Sequence, residues 1–162
     1  MIFVTVGTQL PFERLVAAVD SWSGTRSPRP DVLAQVGAGH LDYENLRCVR
    51  TLAGAQYSSV IADAELIIAH AGTGSILTAL EHGIPLIVLP RDDRRGEHRD
   101  NHQIQTARQL EKMGLVSVAW SEAELPALID AELTRPRGAR TERKRGTELV
   151  DYLRSYLRDV LS

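Results

Sequence analysis

The stretch LIIAHAGTGSILTALEHGIPLIVLPRDDRRGEHRDNHQ, residues 66–103, decides the fold. It reads as strand, glycine-containing turn, helix, strand, charged loop and the start of another helix. Leu66–Ala69 is a four-residue apolar run of the kind buried in a parallel sheet. Gly72, Thr73, Gly74 and Ser75 sit where that strand feeds a helix, and Gly83 closes the helix. Free amide hydrogens, a positive helix end and glycines that admit a ligand to the backbone make such a turn a phosphate site. Glu81, an acceptor-only carboxylate on the same helix, is a candidate for a ribose diol. Together with the polar Asn101-His102-Gln103 segment, these features point to a nucleotide carrying a polar group.

The same alternation extends outward. Residues 2–6 predict a first strand and residues 10–22 a helix with Phe12, Leu15, Val16 and Val19 on one face. Strands are predicted at 32–36, 47–51, 86–89 and 116–119, and helices at 56–64, 75–82, 101–113 and 122–133, the last with Ser121 as N-cap. The fold class is therefore α/β: a Rossmann-like, mostly parallel six-stranded sheet with helices on both faces. Residues 1–134 form the nucleotide-binding domain. Residues 135–162 carry an arginine-rich linker and a terminal amphipathic helix (Leu149, Val150, Leu153, Leu157, Val160, Leu161) that either packs on the core or docks a partner.

Composition narrows the function. The chain has 162 residues and a formal net charge of −2, which argues against a generic nucleic-acid binder. Its single cysteine, Cys48, excludes an intrachain disulfide and a cysteine metal cluster. No apolar run is long enough to span a membrane, and the opening MIFVTV lacks the basic start of a signal peptide, so a cytoplasmic protein is expected. The turn is not a dinucleotide fingerprint, because Leu77 takes the third glycine position, and no lysine follows it as in a P-loop. A Rossmann-type oxidoreductase is disfavoured accordingly. His98 and His102 have helical i, i+4 spacing but no third ligand, so no metal site is expected. His70, ending the fourth strand, is a structural histidine, a ligand contact or, more weakly, a catalytic base. Gly7, Thr8 and Gln9 form a second candidate ligand loop, and Arg91 begins a third.

Three segments, VTVGTQLPFERL (4–15), HAGTGSILTALEHGIPLIVLPR (70–91) and GEHRDNHQIQTARQLEKMG (96–114), resemble the C-terminal, donor-binding half of the GT-B glycosyltransferases of family 28, the group that includes MurG. The His-Ala-Gly at 70–72 is similar to the small stand-alone subunits, both the PssE-type exopolysaccharide subunits and the eukaryotic dolichol-linked GlcNAc transferase subunit, rather than to MurG. The resemblance implies an inverting UDP-sugar transferase without metal or other cofactor. A membrane-associated partner would supply the N-terminal half and a lipid-linked acceptor, and hold the chain at the inner face of the membrane. By the same resemblance Gly72, Thr73, Gly74 and Ser75 hold the diphosphate, Glu81 the ribose, and His102 and Gln103 the sugar. Gly7 and Thr8 line the cleft between the halves, and the uracil lies near residues 52–57. The PssE likeness favours glucuronate, whose carboxylate Arg94, Arg95 and Arg99 could pair. GlcNAc or galactose transfer, or a non-catalytic nucleotide-binding module, are the alternatives.

Overall fold

In the computed structural model, which describes residues 1–99, 101–136, 151 and 153–156, six parallel strands form one sheet in the order β3-β2-β1-β4-β5-β6. The strands are β1 (Ile2–Thr5), β2 (Val32–Gln35), β3 (Arg47–Val49), β4 (Leu66–Ala69), β5 (Leu86–Val88) and β6 (Ser117–Val118). The helices are α1 (Glu13–Gly24), α2 (Gly54–Asp63), α3 (Thr73–His82), α4 (His102–Lys112) and α5 (Leu125–Thr134). Register is continuous across the centre: Phe3 pairs with Leu33 on one side and Ile67 on the other, and Ile67 with Leu86. The strand order reverses between β1 and β4, where open α/β sheets bind ligands at the carboxyl ends of the strands.

Strand alternation sorts the core into two layers. Ile2, Val4 and Val6 face a cluster with Leu15, Val16, Val19 and Trp22 of α1 and Leu125 and Ile129 of α5. Phe3 faces the other side, with Ile67, Ile76, Ala79, Leu80, Ala107 and Leu110 from β4, α3 and α4. Leu153 is fully buried in that second cluster, so this part of the terminal segment packs on the domain's own core. Residues 151 and 153–156 are helical; the remainder of the predicted terminal helix, at 149–150, 152 and 157–162, and the arginine-rich stretch from 137 lie outside the described residues.

Most element ends lie within one or two residues of expectation, and three of the differences have a clear local cause. Helix α1 starts at Glu13 because Phe12, with φ −143° and ψ 66°, is outside the helical region, leaving Pro11 and Leu10 in the preceding loop. The helix predicted over 122–133 splits into a 3-10 turn, Glu122–Glu124, and α5, whose Pro126 stands at the first turn where a missing N–H is harmless. Helix α3 starts at Thr73, not Ser75, which places Thr73, Gly74 and Ser75 inside its first turn.

Candidate functional site

A cleft of about 540 Å³ opens along the carboxyl ends of β1, β2, β4 and β5. Its floor is the first turn of α3. Gly72 is the N-cap and offers no side-chain hydrogen bond, and the first helical bond runs from Ile76 N–H to Gly72 O. The N–H groups of Thr73, Gly74 and Ser75 therefore have no intrahelical acceptor and carry the positive end of the helix. The first turn of α4, with His102 and Gln103, lines the same cleft and also lacks a side-chain cap. Among the described residues no carboxylate lines this cleft, whereas three histidines and one arginine do. Two uncapped helix starts and a described lining without a carboxylate give the cleft a positive character that suits an anion.

The glycines serve two purposes. A Cβ on Gly72 would lie 2.2 Å from His70 Nε2, and one on Gly7 would lie 2.7 Å from His70 Cε1. The His70 ring is thus clamped between Gly7 and Gly72, and close approach of this ring is what excludes a side chain there. Gly74 is different: a Cβ there would meet nothing within 4 Å, on a residue that lines the cleft. Burial, followed by the positive charge of Arg91, lowers the His70 pKa to about 4, with His98 adding to the effect and the Thr5 backbone opposing it. Its Nδ1 is buried and makes no hydrogen bond of good geometry. His70 is a neutral imidazole in the wall of the site.

Arg91 is 2 % exposed, and its guanidinium donates to the carbonyls of Val6, Leu10, Pro11 and Glu97 at 2.9, 2.7, 2.8 and 3.3 Å. It also stacks over Phe12, 4.6 Å from the ring centroid. Arg91 lines the cleft as expected, and both of its Nη groups are held by protein carbonyls, which also gives this side chain a structural role in joining the loop after β1 to the segment after β5. Its backbone N–H donates to Gln103 Oε1 at 3.2 Å. That bond fixes the amide of buried Gln103 and leaves its NH₂ end for a ligand acceptor.

The structure brings Gly7, Thr8, His70, Gly72, Thr73, Gly74, Ser75, Arg91, His102 and Gln103 to one cleft. Glu81 is the exception. It lies six residues beyond Ser75, about 9 Å along the helix and roughly 240° around it. It does not line the cleft, and its carboxylate pairs with Arg154. A ribose contact does not fit that placement. The expected carboxylate partners for a glucuronate are also absent from the cleft: Arg94 pairs with Asp92 and Arg95 with Glu122, and neither they nor Arg99 line it.

Leu52 and Tyr57 stand at the β3 end of the cleft, where a base was expected. The Tyr57 hydroxyl donates to Thr78 Oγ1 at 3.3 Å, and its ring packs edge-on against Phe3. Gln35 was missed. It is 5 % exposed, accepts from Leu52 N–H through Oε1 at 3.1 Å and lines the cleft. The available signal was a polar residue ending the apolar run VLAQ, at the edge where such sheets bind ligands.

This architecture has known counterparts. Residues 1–152 match the glycosyltransferase family 28 C-terminal domain. The chain belongs to that family. It is 35 % identical over 122 residues to the UDP-N-acetylglucosamine transferase subunit ALG13 of Homo sapiens, covering 70 % of this chain and 10 % of the relative. The counterpart from Yarrowia lipolytica is 31 % identical over 122 residues, covering 68 % of this chain and 60 % of the relative. This family 28 domain therefore spans a tenth of one of these relatives and three-fifths of the other. The solution structure of ALG13 superposes with a TM-score of 0.57 at 25 % identity, covering 83 % of this chain and 85 % of that one. MurG of Acinetobacter baumannii shares the fold with a TM-score of 0.63 at 15 % identity, covering 94 % of this chain and 49 % of the other. The relatives named here favour the N-acetylglucosamine alternative; none of their descriptions mentions glucuronate or exopolysaccharide assembly, so the expectation of those two gains no support.

Proposed function

We propose that this chain is the donor-binding subunit of a two-component inverting glycosyltransferase that uses UDP-N-acetylglucosamine. The observation that carries the reading is the uncapped first turn of α3 opening into a cleft whose described lining holds no carboxylate. The diphosphate sits on the N–H groups of Thr73, Gly74 and Ser75, the base lies between Leu52 and Tyr57, and the sugar reaches the Gln103 amide and His102.

In the reaction an acceptor hydroxyl attacks the anomeric carbon from the face opposite UDP. The new C–O bond forms as the bond to the β-phosphate oxygen breaks, and UDP leaves with that electron pair. The helix start stabilises the developing charge in place of a metal ion, an electrostatic contribution fixed before the reaction begins. The proton of the acceptor passes to a base on the partner subunit, which also supplies the lipid-linked acceptor and holds the complex at the cytoplasmic face of a membrane. The names of the similar proteins, each a transferase subunit, support the two-component reading.

Calorimetric titration with UDP, UDP-N-acetylglucosamine, UDP-glucuronate and NADH tests the donor assignment. Binding of the first two, with NADH silent and the glucuronate weaker, is the expected result. Absence of UDP binding, both alone and with the partner present, overturns it.

A further inference from the structure

The two walls of the cleft come from distant parts of the chain. One is the loop after β1, which carries Gly7 and Thr8; the other is the segment after β5, which carries His98, His102 and Gln103. Among the described residues, no backbone–backbone hydrogen bond joins loop 7–12 to segment 91–103. Side chains join them instead. Arg14, the second residue of the helix that follows the first wall, holds Glu97 of the second wall in a bidentate pair, Nε to Oε1 at 2.8 Å and Nη2 to Oε2 at 2.7 Å. Glu97 Oε2 also accepts from Asp92 N–H at 3.0 Å. Phe12 is buried between the guanidinium of Arg14, at 5.1 Å, and that of Arg91, at 4.6 Å. Both members of the pair are largely buried, with side-chain exposures of 14 % and 16 %. A bidentate pair withdrawn from water is rigid in a way that a surface pair is not.

Resting on the donor-site reading above, we propose that Arg14 and Glu97 are positioning residues for the donor sugar: alongside the bonds from Arg91 to Leu10 O and Pro11 O, their ion pair braces the two walls and holds the segment that presents His98 and Gln103. Glu97 immediately precedes His98, and its carbonyl accepts from Arg91, whose backbone N–H in turn holds Gln103. The diphosphate floor is independent of the pair, because the first turn of α3 makes no bond to either residue. Loss of the pair therefore weakens recognition of the sugar while sparing the nucleotide.

The test compares the ratio of Kd for UDP-N-acetylglucosamine to Kd for UDP in wild type, Glu97→Gln, Arg14→Lys and the double variant, each checked for a cooperative thermal melt. The expected result is a UDP affinity within twofold of wild type in every variant. The ratio should rise at least tenfold in each single variant, and the double variant should be little worse than either. An unchanged ratio overturns the proposal, as does an equal loss of both ligands. If a conservative variant fails to melt cooperatively, Glu97→Asp, which keeps the charge, replaces it under the same criteria. Wild type that binds UDP but not the nucleotide sugar also overturns this inference and leaves the nucleotide floor standing, whereas wild type that binds neither overturns the donor reading itself.

Discussion

At Gly72 a methyl group in place of hydrogen would sit 2.2 Å from His70 Nε2, and at Gly74 the same methyl would meet nothing within 4 Å. The two glycines therefore respond to the same substitution with opposite sign. Gly72→Ala forces the buried ring or the helix start to move, at a cost of about 1–3 kcal/mol. Gly74→Ala removes a poor helix former and raises stability by up to about 1 kcal/mol, yet places a methyl group where the ligand would approach. Urea midpoints should fall for the first and hold or rise for the second, with UDP affinity at least tenfold weaker in Gly74→Ala. Equal UDP affinity in a folded Gly74→Ala protein would remove that residue from the phosphate floor. His70 gives a second prediction. Its folded pKa, about 4, lies below the ordinary histidine value of 6.5. Between those values the unfolded chain binds a proton that the folded chain does not. Stability from this residue is therefore complete above pH 6.5 and is lost as the pH falls towards 4, by roughly 1.4 kcal/mol per pH unit at most. Urea unfolding at pH 7.5, 6 and 5 should show a steeper loss in wild type than in His70→Gln; parallel curves would mean that the ring ionises without penalty.

Among the elements, α3 bears the proposed donor site, since its uncapped start is where the diphosphate would sit. Its first turn contains no acidic residue. Thr73→Asp supplies one, and a carboxylate there stabilises the helix by about 0.3–1 kcal/mol while occupying and repelling the diphosphate site. A melting temperature at or above wild type, together with UDP binding weakened beyond tenfold, is the expected pair of results; retained binding would place the phosphates elsewhere. The strand β4 was legible to the residue, because a short apolar run between polar neighbours has one reading. The start of α3 was read two residues late. Gly74 looks like a turn residue by propensity, but burial of Ser75, Ile76, Ala79 and Leu80 carries the helix through it. Glu81 was assigned by its distance along the helix; its azimuth is set by Ile76, Ala79 and Leu80, which turn the opposite face into the core. The structural role of Arg91 could not be read at all. It depends on three carbonyls about 80 residues away, brought near by the parallel pairing of β1, β4 and β5.

For the whole molecule, the sheet separates the edge that binds from the faces that stabilise. On the face away from α3 and α4, Asp130 of α5 ties α5 to α1. Its Oδ1 accepts from the Trp22 indole N–H at 3.0 Å and its Oδ2 from Arg26 at 2.5 Å. Trp22 is 3 % exposed, so removing its acceptor leaves a buried donor without a partner, which costs about 1–3 kcal/mol. The Arg26 contribution is small, because that pair is about half exposed to water. Asp130 does not line the cleft. Asp130→Ala should accordingly lower the urea midpoint while leaving the UDP dissociation constant within twofold of wild type. A ligand that binds only the folded chain at a hundred times its Kd adds about 2.7 kcal/mol whatever the starting stability. UDP at that excess should therefore raise the stability of wild type and of Asp130→Ala by the same amount, and in doing so offset most of the loss in the variant. A smaller gain in the variant would show that the α1–α5 face and the cleft are coupled through the sheet, and that the loop after β1, which leads directly into α1, transmits the change.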